Sequence, residues 1–378
     1  MNVSNIYESA NLKDLQVLQY APDMASILSG ERWYVPLIEI HPTDYCNLHC
    51  DYCTFKNSQR RDVLPIDVVR SICELKPKVI VISGGGEPTL YRYNKYTLND
   101  LILLLKEKIP DVKIGLKTNG QLALKGKSLE ALDKIRISIN AGTDETLHRA
   151  CGGNLEKCLE SFVYYLNQNV KEVSIGYLFN DDNIKEIPLF LRRLRQIQVS
   201  VGEKFSKRVS IQFRPTCKLM SCRCHADNFR DYPIMVSDTT DVWKSCIEAI
   251  KNDLFSDPEL ASLLECTNLN REELFDYSAN SIGFENCYLS LVQMYIRADG
   301  NVYPCCQMAS SESGSFGNIL QDSIEDIRRR QEAFGLSPNL CKSADYCCQL
   351  VSRKNVLLEK SLLDPGKKWD NIPYAVFI

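Results

Sequence analysis

No apolar run in this 378-residue chain reaches the roughly 18 residues needed to cross a bilayer. The first residues, MNVSNIYESANLKDLQ, lack the basic-then-apolar order of an export signal. Neither charge sign dominates: 45 Lys and Arg stand against 48 Asp and Glu, a net of −3. Short basic clusters occur at 191–196 (LRRLRQ) and 327–331 (IRRRQ). Both lie in helical surroundings, where a solvated face accounts for them, so nucleic acid is not an expected partner. Histidine is scarce, with four in the chain, and no fixed-period repeat or low-complexity tract occurs. These absences predict a soluble, cytoplasmic protein that neither enters a membrane nor binds nucleic acid.

Cysteine, by contrast, is abundant, with 17 in the chain. An odd count, no export signal and a chain long enough for a large core disfavour a disulfide framework. Reduced thiols are then available to metal, although Cys73, Cys158 and Cys246 lie in helix-like surroundings and read as ordinary core or near-surface thiols. The stretch HPTDYCNLHCDYCT (41–54) sets Cys46, Cys50 and Cys53 three and then two residues apart, with no fourth cysteine nearby. Four thiolates would close a zinc site or a fully ligated iron–sulfur cluster. Three on a [4Fe–4S] cube leave one iron open to a small chelating molecule. His41 and His49 flank this loop; the cysteines already account for the site, so hydrogen bonding within the loop is their expected role.

From residue 36 a beat of strand and helix repeats. Strands are expected at 36–40, 78–83, 112–120, 135–140, 172–179 and 208–215, and helices at 65–75, 97–108, 154–169 and 183–197. Such alternation implies right-handed βαβ units and a parallel sheet. The predicted fold is α/β, a partial (β/α)6 TIM-like barrel with a C-terminal α+β extension containing a β-hairpin. The chemically suggestive loops all follow strands, where α/β folds place their sites. After 216 the rhythm stops; a helical stretch is expected at 239–277, then two strands within 287–306 around the turn Asp299-Gly300. The expected division is an N-terminal extension (1–35), the barrel (36–216), an irregular and helical connector (217–280), the hairpin domain (281–350) and a tail (351–378).

C-x3-C-x2-C after the first strand, with GGGEP (84–88) after the second, resembles the radical SAM superfamily. The resemblance covers about 36–216. It implies that the open iron binds the amino nitrogen and carboxylate of S-adenosylmethionine. An electron from the cluster, delivered by a flavodoxin- or ferredoxin-like reductant, then releases a 5′-deoxyadenosyl radical that abstracts a substrate hydrogen atom. The same resemblance puts Tyr52 beside the adenine. It gives Gly84, Gly85, Gly86, Glu87 and Pro88 to the methionine ammonium. Ser138 and Asn140, alternate residues of one strand, would reach the ribose or carboxylate, unless they are plain polar lining. Thr118, with Asn119, is a further candidate, although TNG also makes a good turn. Arg214 would meet the methionine carboxylate or a substrate anion; a surface ion pair is the alternative.

Cys287, Gly300 and Cys305, with twelve and then four residues between them, resemble the start of the SPASM and twitch extensions of that superfamily. This implies an auxiliary [4Fe–4S] cluster held by Cys287, Cys305, Cys341 and Cys347, with Cys306 or Cys348 as alternatives in register. The leading cysteine of the full SPASM run and any cysteine in the last thirty residues are absent, so one auxiliary cluster is expected, with a second possible. Cys217, Cys222 and Cys224, beside His225, have three open assignments. They are further cluster or zinc ligands, a hydrogen-atom donor to the substrate radical, or thiols of a polar loop.

The expected activity is oxidation or epimerisation of a small polar metabolite, such as a sugar or aminocyclitol, in natural-product biosynthesis. Only about 35 residues precede the first strand, too few for a leader-peptide-binding domain, which tilts the reading from a ribosomal peptide toward a small molecule. Modification of such a peptide is the alternative, and a non-catalytic iron–sulfur electron carrier is the alternative of another class.

Overall fold

A computed structural model describes residues 16–31, 33–55, 59–216, 240–269, 286–312, 314–336 and 349–363. Its strands are β1 (Leu37–Ile40), β2 (Val79–Ile82), β3 (Arg92–Tyr93), β4 (Tyr96–Thr97), β5 (Lys113–Thr118), β6 (Lys134–Ser138), β7 (Glu172–Phe179), β8 (Val209–Pro215), β9 (Gln293–Ile296), β10 (Asn301–Tyr303) and β11 (Gly317–Asn318). β3 and β4 form a small separate hairpin, and the others make one sheet in the order β11-β10-β9-β1-β2-β5-β6-β7-β8. From β9 to β8 every pairing is parallel. The expected α/β class is therefore present, and six parallel strands with helical crossovers are consistent with a partial barrel.

The helices in chain order are α1 (Ala21–Leu28), α2 (Val68–Glu74), α3 (Leu98–Lys108), α4 (Asp144–Cys151), α5 (Leu155–Leu166), α6 (Ile187–Val201), α7 (Glu203–Arg208), α8 (Thr240–Ser256), α9 (Pro258–Leu264), α10 (Tyr288–Val292), α11 (Cys306–Ser311), α12 (Ile324–Leu336) and α13 (Gln349–Leu363). Local chemistry sets their ends. A capping box between Thr97 and Asp100 starts α3. Asn154 caps α5, accepting from the Lys157 amide. Pro188 occupies the first turn of α6.

Strand periodicity divides the sheet into two chemically different faces. Ile38, Ile80 and Ile114 stand side by side across β1, β2 and β5, as do Ile135, Val173 and Val209 across β6, β7 and β8. All six belong to the main apolar core with residues of α2, α3, α5 and α6. Burying each such side chain contributes about 1.5–3 kcal/mol. The intervening residues face the barrel interior and are mostly polar or charged: Glu39, Lys117, Arg136, Ser174, Gln212 and Arg214.

Local features near the site depart from the sequence expectation or add to it. α4 falls in a stretch to which no element was assigned; Thr143 caps it and Glu186 accepts hydrogen bonds from the Gly142 and Thr143 amides at its start. Residues 288–292, expected to extend a strand, form α10. There Asn355 of α13 accepts from the Leu289 amide at 2.7 Å and Gln331 of α12 donates to the Ser290 carbonyl at 2.7 Å. Tertiary partners thus override the local preference of a short apolar run. The hairpin at Asp299-Gly300 forms, with Gly300 at φ +84° and β9 antiparallel to β10. Its first strand also pairs in parallel with β1, Leu37 opposite Gln293 and Ile40 opposite Ile296. Among the described residues no helix is long and apolar enough to cross a membrane.

Candidate active site at the barrel mouth

The segment after β1 leaves the sheet with the His41 amide bonded to the Ile296 carbonyl at 2.8 Å. It is then pinned on three sides. Asp44 N donates to Asp62 O at 3.0 Å, and His49 N and Asp51 N donate to Cys151 O and Ala150 O at the end of α4, at 3.1 and 3.0 Å. The helix missed in the sequence is thus the seat of the cysteine loop. Its signal was present: Thr143 ahead of Asp144-Glu145, and Gly152 at the other end, left-handed at φ +74°. A Cβ on Gly152 would also meet the His49 ring, with Nδ1 at 2.9 Å.

Cys46, Cys50 and Cys53 are free thiols on this loop. The Leu48 amide donates to Cys46 Sγ and the Phe55 amide to Cys53 Sγ, both at 3.4 Å. Amides aimed at sulfur stabilise thiolate, the form that ligates iron. Burial pushes the Cys46 thiol up, while Cys50 is held up by its hydrogen bond with the Cys151 thiol and by burial. Among the described residues no three His, Cys, Asp or Glu side chains converge as they would on a single metal ion. A cube of iron and sulfide spreads its thiolates wider than one ion does, and three thiols on one pinned loop fit such a cluster.

The glycine run after β2 presses onto this loop. A Cβ at Gly86 would lie 2.7 Å from both Asp44 C and Thr43 O, and one at Gly85 would lie 2.9 Å from Asp44 Oδ1. Only glycine allows that approach, and Glu87 N completes it by donating to Tyr45 O at 2.8 Å. The Glu87 carboxylate, expected to face an ammonium, is buried and already engaged. It accepts from Thr89 N and Oγ1 at 3.1 and 2.8 Å, from Thr118 Oγ1 at 2.7 Å and from Asn119 N at 2.7 Å. Burial pushes its pKa up and these donors oppose the rise. Glu87 therefore joins two loops, and the backbone of 84–86 is what the run leaves for a cofactor. Thr118 lies on the core side of the sheet, is buried, and is spent on Glu87 rather than presented to the mouth. Pro88 begins the short turn that follows.

Asn140 is buried and donates to the Tyr52 hydroxyl at 2.6 Å, while its carbonyl oxygen accepts from the Leu178 amide at 2.8 Å. It thereby fixes the ring next to Cys53, and burial raises the Tyr52 hydroxyl pKa. Ser138 is exposed, two residues below Asn140 on the same face. Arg214, at the end of β8, has its Nε buried with no hydrogen-bond partner.

Further interior groups escaped sequence reading, although the alternation in IRIS, VSIG and SIQFR (residues 135–138, 173–176 and 210–214) carries the signal. Glu39 accepts from Lys117 Nζ at 3.1 Å and from Ser83 Oγ, with His41 Nε2 at 3.6 Å. Burial alone would raise its pKa, but Lys117 and His41 outweigh that and hold it well below the usual range.

At the hairpin, Cys287 is buried at the start of α10, with Asn355 Nδ2 3.4 Å from its sulfur. Cys305 packs against the apolar cluster that contains Leu289 and Val292, and Cys306 is exposed at the first turn of α11. Cys217, Cys222, Cys224, Cys341, Cys347 and Cys348 lie outside the described residues. An ion-pair network joins the hairpin to the cysteine loop. Fully buried Arg297 meets Glu312 at 3.1 Å and Asp44 at 3.8 Å and covers the Phe55 ring at 5.5 Å, while Arg60 pairs with Asp299 and, at 2.8 Å, with Glu312.

A partial parallel barrel opening onto a loop of three free thiols fits the class of iron–sulfur proteins whose cluster would keep one position without a protein ligand. Residues 40–194 match the radical SAM superfamily, and residues 287–348 match SPASM, an iron–sulfur cluster-binding domain; the chain belongs to the radical SAM superfamily and carries a SPASM domain. The first domain implies a [4Fe–4S] cluster and S-adenosylmethionine, and the second implies auxiliary clusters. GTP 3′,8-cyclase of Clostridium perfringens is 29% identical over 195 residues, covering 45% of this chain; the match spans 58% of that relative's length. Streptococcus suis SuiB bound to S-adenosylmethionine is similar in fold, with TM-score 0.55 and 17% identity over 82% of this chain and 69% of that one. So is anSMEcpe with bound AdoMet, at 0.52 and 16% over 84% and 87%.

Proposed function

We propose that this protein uses S-adenosylmethionine to generate a carbon radical on a small polar metabolite, such as a sugar or aminocyclitol, and so oxidises or epimerises it. The observation that carries this reading is the polar inner face of β1, β5, β6, β7 and β8 directly beneath the three-cysteine loop. Cys46, Cys50 and Cys53 hold the cluster in it, the Gly84–Gly86 backbone receives the methionine end, and Tyr52, fixed by Asn140, flanks the adenine. When bound, the cluster and S-adenosylmethionine together supply a radical strong enough to take hydrogen from an unactivated carbon. The chain's part is to orient the substrate C–H bond and exclude water. Cys287, Cys305, Cys341 and Cys347, with Cys306 or Cys348 in alternative register, are the proposed auxiliary ligands. Cys217, Cys222 and Cys224 are proposed hydrogen-atom donors if the outcome is epimerisation. A flavodoxin- or ferredoxin-like protein is the proposed electron source.

Peptide modification is the second reading, favoured by the fold likeness to SuiB, which is also known bound to the precursor peptide SuiA.

Anaerobically reconstituted protein with dithionite should convert S-adenosylmethionine to 5′-deoxyadenosine and methionine, and Cys46→Ala, Cys50→Ala or Cys53→Ala should each abolish that conversion. An intact, reducible cluster that never cleaves S-adenosylmethionine would instead favour a non-catalytic electron carrier. In deuterated water, epimerised product should gain one deuterium from an exchangeable donor, whereas oxidised product should be two hydrogens lighter and gain none.

A further inference from the structure

Arg136 projects from the middle of β6 into the barrel interior, two residues and therefore about 6.6 Å below Ser138. Its neighbour across the sheet is Ser174 of β7, and the next inward position on β7 is Gly176, opposite Gln212 of β8. The glycine has a purpose there. A Cβ at Gly176 would sit 2.5 Å from Arg136 Nε and 2.9 Å from its Cζ. The guanidinium therefore lies across the bare backbone of β7, leaning from β6 toward β8, where Gln212 and Arg214 extend from the next strand.

Among the described residues, this side of the interior holds cations without matching acids. Arg136 is deep in the barrel, yet its side chain keeps some contact with solvent, as expected in a wetted cavity. Burial, and then Arg214, push its pKa well down, with Glu39 opposing. Neither guanidinium makes a hydrogen bond or ion pair among the described residues, and Arg214 Nε is buried without a partner. Among the described residues the acids on the inner face, Glu39 and Glu172, are already engaged, Glu39 by Lys117 and Ser83 and Glu172 by Lys134 at 2.9 Å. Two unpaired guanidiniums facing one space destabilise the empty fold. A bound oxyanion, which a guanidinium fork matches in shape and charge, reverses that.

We infer that Arg136 and Arg214, with Gly176 as clearance and Gln212 beside them, form a subsite for an anionic group of the substrate, a carboxylate or phosphate. The methionine carboxylate is the other oxyanion at this mouth. Position separates the two: the cysteine loop, the Gly84–Gly86 backbone and the Tyr52–Asn140 pair gather around β1, β2 and the top of β6, whereas Arg136 rises from below Ser138 and lies over β7 at Gly176, and Arg214 stands on the inner face of β8. The inference rests on the proposed function only in calling the ligand a substrate.

The test is calorimetric titration of anaerobically reconstituted protein with inorganic phosphate and with pyrophosphate at constant ionic strength, with and without saturating S-adenosylmethionine. One saturable site is expected in both states. Arg136→Met should weaken phosphate binding at least tenfold while S-adenosylmethionine affinity stays within threefold, and Arg136→Lys should recover part of the loss. Gly176→Ala keeps every charge and its three nearest contacts are all at the movable end of an arginine, so it should fold and still lose phosphate at least tenfold. Competition between phosphate and S-adenosylmethionine, or loss of S-adenosylmethionine affinity in Arg136→Met, would assign the arginines to the methionine carboxylate and overturn the inference. So would the absence of saturable binding of either anion to the unsubstituted protein. Since the readout is anion binding, a protein that fails to cleave S-adenosylmethionine would refute the proposed function and leave this site standing.

Discussion

Single side chains at the mouth divide into those that hold other residues and those left facing the cavity. Glu39 belongs to the first group and has a measurable pH signature. Its native pKa lies below the ordinary 4.5 because Lys117 and His41 outweigh the effect of burial. Its contribution to stability is therefore complete above about pH 5, and is lost as pH falls through the depressed native value. In urea unfolding of the apo-protein at pH 7, Glu39→Gln should cost about 1–3 kcal/mol. The gap from the unsubstituted protein should narrow steadily below pH 4.5, and a gap that widened on acidification would contradict this account. At this scale the sequence singles out residues more readily than it places their side chains. Tyr52 and Asn140 were both legible, but their mutual hydrogen bond joins positions 88 apart in the chain. Glu87 stood out in the sequence, but its partners did not, since only the fold reveals that Thr89, Thr118 and Asn119 already occupy its carboxylate.

Elements were most legible where a repeating pattern is long. All six barrel strands and α3, α5 and α6 could be expected from periodicity and capping. α4 and α10, of eight and five residues, were not expected, and each depends on distant partners, Glu186 for one and Asn355 for the other; nor was the fifteen-residue α13, which falls mostly in the expected tail. The glycine run illustrates a subtler limit. Its composition suggested a surface for a cofactor, whereas its geometry shows that it first makes room for the preceding loop at Thr43–Tyr45. Gly86→Ala should therefore force the two loops apart, destabilising the protein by about 1–3 kcal/mol. Iron content after reconstitution should fall with it, although every cysteine is retained. Unchanged melting temperature and iron content in Gly86→Ala would show that the contact yields.

The molecule as a whole is more continuous than a barrel followed by an appended domain. β9 extends the barrel sheet at β1 residue for residue, and Arg297 and Arg60 tie the hairpin to the segment around Asp44 and Phe55. Sequence rhythm could not reveal this join, because the partners of β1 lie some forty residues away on one side and about two hundred and fifty on the other. The join also limits how the gene can be cut. A fragment ending after β8 would strip β1 of its neighbour and leave a row of unanswered amides and carbonyls along an aliphatic margin. Such a fragment should precipitate or self-associate on expression, as light scattering would show, and co-expression with the missing half should rescue it.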